Sequence, residues 1–130
     1  MAISVVRLGT PRGKNEGMRV GTVRRPPRGV KKTDYARLDF YDVWLPQLAP
    51  SATLVSWIKG HGITPANWKQ FQKQYLRELA SPDSQRLLDL LAALSRDTDF
   101  AIGCFCENEN ECHRSILRAE LEKRGAVIRK

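Results

Sequence analysis

Apolar residues change their spacing along the last third of the chain. Residues 100–106 contain only apolar side chains and one glycine, which is typical of a strand covered on both faces. From about residue 112 the apolar positions recur at helical spacing, and Gly125 is suited to end the helix. The pattern therefore predicts a buried strand, a polar loop and a helix in direct succession.

Three earlier helices are predicted from their capping residues. Ser51 is suited to begin a helix over residues 52–59, because its hydroxyl can accept a hydrogen bond from the first turn. Thr64 and Ser81 are each followed by a proline, which is favoured at the first position of a helix. Both of these helices carry an apolar stripe, so we expect them to pack on a core.

The remaining strands are predicted from short β-rich runs. Residues 3–8 and 18–23 are such runs, and the turn-like sequence between them favours a hairpin. Helical segments separate residues 18–23, 100–106 and 126–128, so right-handed crossovers would make these three strands parallel, with 3–8 at an edge. The sequence thus predicts one α/β domain over residues 1–130, a three-layer sandwich with a mainly parallel sheet and helices on both faces.

Composition places the chain among ordinary globular proteins, with 42% hydrophobic and 28% charged residues. We expect a cytoplasmic protein without a membrane segment, because there is no signal-peptide pattern and no run of about 20 apolar residues. The three cysteines all lie within residues 104–112, which argues against the dispersed disulfide framework of a secreted protein. The sequence does not indicate the oligomeric state.

Positive charge is concentrated at the beginning of the chain. Residues 1–37 hold ten Lys or Arg and two acidic residues, and so account for the whole net charge of +8. Such a segment attracts nucleic acid or a phosphorylated small molecule, but it also serves many proteins simply as soluble surface. Both interpretations stay open at this stage, and the two candidate partners are an anionic small molecule and nucleic acid.

A ligand site is predicted where the buried strand ends and the last helix begins. Free N–H groups and the positive end of a helix favour anions at such an edge. If residues 18–23 run parallel to residues 100–106, three arginines that follow the earlier strand reach the same edge. The expected ligand-binding residues are Arg24, Arg25, Arg28, Trp44, Glu107, His113, Arg114 and Ser115.

The cysteines supply the candidate reactive groups. Cys104 lies inside the strand and is expected to be a small buried hydrophobe, whereas Cys106 and Cys112 are the candidate catalytic residues. A helix start and nearby arginines lower the pKa of a thiol, although Glu107 and its acidic neighbours act in the opposite direction. A zinc set of the three cysteines with His113 has poor spacing, so neither a metal nor another cofactor is predicted.

Four stretches together resemble a bacterial family known as domain of unknown function 488. They are RVGTVRRPPRG, DVWLPQLAPS, NWKQFQKQYLRELA and FAIGCFCENENECHRSILRAEL. The resemblance implies a small Rossmann-like α/β fold and no established activity. Two hypotheses follow from the residues: an enzyme that acts on an anionic substrate through Cys106 or Cys112, and a non-catalytic nucleic-acid-binding module that uses the basic first third of the chain.

Overall fold

A four-stranded sheet, parallel throughout, forms the centre of the computed structural model, which describes residues 1–129. The strands are β1 (Ile3–Arg7), β2 (Met18–Gly21), β3 (Val43–Trp44) and β4 (Phe100–Cys104), in the spatial order β1-β4-β2-β3. The helices are α1 (Ala52–His61), α2 (Pro65–Leu79), α3 (Pro82–Leu94) and α4 (His113–Lys123). The predicted α/β class with a parallel sheet, a small Rossmann-like fold, is confirmed.

The buried strand β4 holds the central position that its composition predicts. All five of its residues are buried, and it pairs with β1 on one side and β2 on the other. The regular strand ends at Cys104, earlier than predicted, and the chain bends at Phe105. Cys106 consequently lies just beyond the sheet.

The predicted hairpin between residues 3–8 and 18–23 is wrong. Strands β1 and β2 are parallel and lie on opposite sides of β4, so residues 8–17 cross over β4 from the edge strand β1 to the interior strand β2. This arrangement gives the apolar β4 two strand neighbours, whereas a hairpin would leave one of its edges unpaired. The chain enters β2 through Gly17, whose φ of 79° is strained for other residues. Glycine also lets the backbone pack against Asp99, because an added Cβ would lie 2.1 Å from the Asp99 carbonyl oxygen.

Two short segments border the sheet. Residues 126–128, predicted as a strand, contribute a single parallel bridge between Ile128 and Ile3. Strand β3 lies between β2 and α1 along the chain, and its two residues pair with Val20 and Gly21 of β2. Because two residues carry too little periodicity, this strand has no signal in the sequence.

The two faces of the sheet are covered differently. Val20 and Ile102 share one hydrophobic core with residues of all four helices. On the other side, a Cβ added to Gly21 would meet the ring of Tyr41, and one added to Gly103 would meet Leu8. The layer over these two glycines is therefore formed by loop segments, where helices were expected on both faces.

The predicted helix starts are confirmed by their caps. The hydroxyls of Ser51, Thr64 and Ser81 each accept a hydrogen bond from the backbone N–H three residues later. Across residues 1–129, the helices are all too short or too polar to cross a membrane.

Candidate functional site

A pocket of about 470 Å³ opens where the parallel strands β2 and β4 end. The residues that follow β2 contribute Arg24, Arg25 and Arg28, and helix α1 adds Lys59. On the opposite side the lining includes Cys104, Cys106 and His113. Four basic side chains and a pair of thiols thus face one concavity, because parallel strands bring their carboxyl ends to the same edge.

The three cysteine sulfurs form a compact group beside this pocket. They all lie within 4.8 Å of one another, although only Cys106 is exposed. Cys104 ends β4, and Cys112 occupies the N-cap position of α4, so the loop of residues 105–111 folds the second thiol back onto the first. The cluster therefore exposes the Cys106 sulfur, while Cys104 is buried in the pocket lining and Cys112 lies behind it.

Hydrogen bonding within the group divides the thiols by acidity. Hydrogen bonds from Cys104 and Cys112 lower the pKa of Cys106, and the nearby charge of Arg114 adds to the effect. The pKa of Cys104 is raised because its thiol donates to Cys106 and Cys112 and because it is buried. For Cys112, the hydrogen bond with Cys104 acts to lower the pKa, but donation to Cys106 and burial outweigh it, so the pKa rises. A single negative charge is therefore favoured, on the exposed sulfur.

Arg114 is a buried cation at the first turn of α4. It is 3% exposed, and its Nη2 donates to the Cys106 carbonyl oxygen at 2.6 Å. Its Nε has no hydrogen-bond partner, and none of the ion pairs formed within residues 1–129 includes it. A buried charge without a counter-ion is costly, and a thiolate on Cys106 supplies one.

His113 is fixed in one tautomer by its contact with Thr22. Its Nε2 lies 2.6 Å from the Thr22 carbonyl oxygen, which can only accept, so Nε2 carries the proton. The unprotonated Nδ1 lies 3.7 Å from the Cys112 sulfur. Burial lowers the pKa of His113 to about 4, so the ring is neutral at pH 7 and offers Cys112 a hydrogen-bond acceptor.

The chain matches known sequences over nearly its whole length. Residues 3–125 fit the family model described as the active DUF488-N3 subclade. The chain belongs to the DUF488 family. It is also 34% identical over 92 residues to the uncharacterized protein YeaO of Escherichia coli (strain K12), a match that covers 69% of this chain and 74% of the relative. No solved structure matches it significantly.

The other candidate ligand residues of this DUF488 protein lie outside the pocket lining. The Trp44 indole donates to the Val23 carbonyl oxygen at 2.7 Å, and the Ser115 hydroxyl donates to the Cys112 carbonyl oxygen at 2.9 Å. Glu107 is on the surface, where its carboxylate lies 3.6 Å from the guanidinium of Arg7. These contacts place the three side chains around the site rather than in it.

Ion pairs neutralise part of the positive charge at the start of the chain. Arg19 is 1% exposed and forms an ion pair with Glu16, and Arg12 binds Asp39 and Asp42. Arg25 and Arg28, in contrast, are exposed and make no pair with a carboxylate of residues 1–129. The pocket therefore keeps two exposed arginines whose charge no carboxylate of the described residues neutralises.

Two residues of the candidate site were not predicted from the sequence. Lys59 reaches the pocket from α1, and Thr22 orients His113 through its backbone carbonyl. A carbonyl contact leaves no side-chain signature, and the position of α1 depends on packing.

The four-residue zinc set considered from the sequence is not assembled, since the group of ligand atoms within 4.8 Å of one another comprises the three sulfurs without His113.

Proposed function

We propose that this DUF488 protein binds a small anionic substrate in the pocket and attacks it with the Cys106 thiolate. The observation that carries the proposal is that the one exposed sulfur of the cysteine cluster shares a concavity with Arg24, Arg25 and Arg28. A thiolate is the reactive form of cysteine, and hydrogen-bond donors and a cation are what hold it in that form.

The arginines have distinct roles in this proposal. Arg24 is held in place, because its Nε and Nη2 donate to the carbonyl oxygens of Pro50 and Ala49, each at 3.0 Å. Arg25 and Arg28 are free to contact a ligand. Arg114 is too deeply buried to reach the pocket and acts on the thiol instead.

The non-catalytic nucleic-acid-binding module is the alternative. Arg25, Arg28, Lys31 and Lys32 are exposed close together in sequence, which favours contacts with phosphates. Under this hypothesis Cys106→Ser leaves the binding of a short oligonucleotide and its salt dependence unchanged. The concave shape of the site and the low pKa of Cys106 instead favour a small substrate and a reaction.

Two alkylating reagents that differ in charge test the proposal. Iodoacetate and iodoacetamide modify thiolates by the same chemistry, but only iodoacetate is an anion. We expect the ratio of their rates at Cys106 to favour iodoacetate in the folded protein, relative to the same ratio in urea. Replacing Arg25 and Arg28 with Ala should lower that ratio by about tenfold at low salt, near the lower end of what a charged cleft contributes.

A matched control replaces Arg77 and Arg86 with Ala. Both are exposed residues of α2 and α3 outside the pocket, so the net charge changes equally while the site stays intact. The proposal predicts a wild-type rate ratio in this control. An unreactive Cys106, or the same ratio in the folded and unfolded protein, would refute it.

A further inference from the structure

Cys112 has the position of a second reacting thiol behind Cys106. Its sulfur is within 4.8 Å of the Cys106 sulfur and is 2% exposed, so an outside molecule meets Cys106 first. The unprotonated Nδ1 of His113 lies 3.7 Å from the Cys112 sulfur and can accept its proton. The simple attack described above uses neither feature.

Cys104 is less suited to this role. A single residue separates it from Cys106, which leaves the backbone little freedom to reach the dihedral angle that a disulfide requires. The backbone N–H of Cys106 already donates to the Cys104 sulfur at 3.4 Å. Cys104 also has no base corresponding to His113 among its hydrogen-bond partners in residues 1–129. Its arrangement suits a fixed donor to the thiolate.

We propose that Cys106 and Cys112 form a dithiol pair that reduces small anionic disulfides bound in the pocket. The inference rests on the proposed function, because it requires a reactive Cys106 and an anion-binding pocket, and it adds the substrate class. Reduction of a disulfide needs no reductant beyond the two thiols that the site supplies.

The reaction proceeds in two exchanges. The Cys106 thiolate attacks one sulfur of the substrate RSSR, forming a mixed disulfide with Cys106 and releasing one thiolate RS⁻. His113 Nδ1 then accepts the Cys112 proton, and the Cys112 sulfur attacks the Cys106 sulfur. The bond between Cys106 and the substrate breaks, the second RS⁻ leaves, and the proton passes from His113 to it. The substrate gains two electrons and the protein becomes a Cys106–Cys112 disulfide.

Charge determines which disulfides react fastest. Arg25, Arg28 and Lys59 line the approach to Cys106, so a disulfide with carboxylates is concentrated there. A neutral disulfide lacks this advantage even though its sulfur chemistry is the same. The ratio of the reaction rates of two such reagents therefore measures the effect of the pocket's charge. The number of thiolates released per chain shows whether Cys112 reacts.

The experiment uses dithiobisnitrobenzoate as the anionic probe and dithiodipyridine as the neutral one. Both release a coloured thiol that can be counted, and the protein mass shows what it retains. The wild type should release two thiols per chain, retain no adduct and yield a Cys106–Cys112 disulfide in a non-reducing peptide map. Cys112→Ser should release one thiol and keep one adduct on Cys106.

The variants are chosen to fold. Cys112 is the N-cap residue of α4 and makes no side-chain cap, so serine is well tolerated there. Cys104→Ser removes the other buried thiol; its reaction rate can change, because Cys104 contacts Cys106, but it should still release two thiols per chain and yield the Cys106–Cys112 disulfide. Replacing Arg25 and Arg28 with Ala should slow the anionic probe by about tenfold and leave the neutral one unchanged.

The outcomes separate the two proposals. A wild type that releases one thiol and keeps the adduct overturns the dithiol pair while leaving Cys106 as the nucleophile. A disulfide to Cys104, or a ratio of the two probes' rates that is the same in the wild type and the arginine variant, overturns it as well. If neither probe reacts, Cys106 is not a nucleophile and the proposed function fails with it.

Discussion

Arg114 and Cys106 are joined across the turn between β4 and α4. The Arg114 guanidinium donates to the Cys106 carbonyl oxygen at 2.6 Å, while its buried Nε has no partner. The same residue that fixes the loop conformation thus places a positive charge near the thiol. Loop geometry and thiol acidity are coupled through one side chain, and the coupling can be tested by replacing the guanidinium.

Arg114→Met should raise the pKa of Cys106, because it removes a cation and keeps most of the side-chain volume. The loss of one nearby opposite charge shifts a pKa by about 1–3 units, so the midpoint of iodoacetamide modification should move upward by at least about one unit. The rate of modification is followed from about pH 3 to about pH 9, and the rate at the acidic end should be lower in Arg114→Met than in the wild type. Arg114→Lys is the control that keeps the charge. An unchanged midpoint in a folded Arg114→Met protein would contradict this role.

Glu16 and Arg19 form a buried ion pair under the crossing loop. Their side chains are 7% and 1% exposed, and all five N–H groups of Arg19 are used by Glu16 and the carbonyl oxygens of Thr10, Pro11 and Asp39. Glu16→Gln leaves the guanidinium without its counter-ion, and should lower the free energy of unfolding by about 3–5 kcal/mol. Urea denaturation measures the change. The exposed pair of Arg37 with Asp34 provides the contrast, since Asp34→Asn should cost less than about 1 kcal/mol.

The same pair should contribute to acid sensitivity. Burial acts to raise the pKa of Glu16, but hydrogen bonds from Arg19 and from the Gly13 N–H outweigh it, so the pKa lies below the ordinary 4.5. A carboxyl group with a lowered folded-state pKa adds stability above its unfolded pKa and loses it as pH falls through the folded value. Wild-type stability should therefore fall more steeply below about pH 4.5 than that of Glu16→Gln. Urea denaturation at several pH values measures this. If stability falls equally steeply with pH in the wild type and in Glu16→Gln, Glu16 does not contribute to the acid sensitivity.

Local signals were sufficient for the elements that surround the site. Neighbours in sequence are enough to predict the buried strand from residue 100, the caps at Ser51, Thr64 and Ser81, and Gly125. The structure confirms the caps and the left-handed Gly125, and it confirms the strand as far as Cys104. The meeting of the residues after β2 with those after β4 also followed, because parallel strands end at one edge.

The features that could not be predicted depend on contacts between residues that are far apart in the sequence or on the fold of a loop. Arg19 counts as surface charge in the sequence, yet its partners lie in two separate loops, and that buried cluster stabilises the crossing that replaced the hairpin. The clustering of the three sulfurs depends on how residues 105–111 fold, which spacing alone does not determine. The sequence therefore predicted which strand ends meet better than it predicted the geometry of the loops that follow them.

Gly103 of the central strand β4 packs closely against Leu8 and Val6. A Cβ there would be 2.6 Å from Leu8 Cδ2 and 2.9 Å from the Val6 carbonyl oxygen. Gly103→Ala should therefore lower the free energy of unfolding by about 1–3 kcal/mol through overpacking. Gly60→Ala is the matched control, since that glycine lies in α1 with no atom within 4 Å of an added Cβ. It should stabilise the protein by up to about 1 kcal/mol, and thermal denaturation showing the two changes equal would contradict the packing described.

His113 should make the stability of the protein depend on pH in a range above that of Glu16. Burial lowers its pKa from the ordinary 6.5 to about 4, so the unfolded chain binds a proton between these values that the folded protein does not. Stability should therefore decrease as pH falls from about 6.5 to about 4, by on the order of 3 kcal/mol for a shift of this size.

His113→Gln removes the titrating ring and should flatten this part of the stability profile. The variant should also lose about 1–3 kcal/mol at pH 7, because the Thr22 carbonyl oxygen loses a buried donor. His61→Gln is the control, since His61 is exposed on α1 and should leave the wild-type slope intact. Urea denaturation at several pH values between about 4.5 and about 7 measures the slope above the range in which Glu16 titrates. If the slope survives in His113→Gln, the neutral tautomer that faces Cys112 is not the form held by the folded protein.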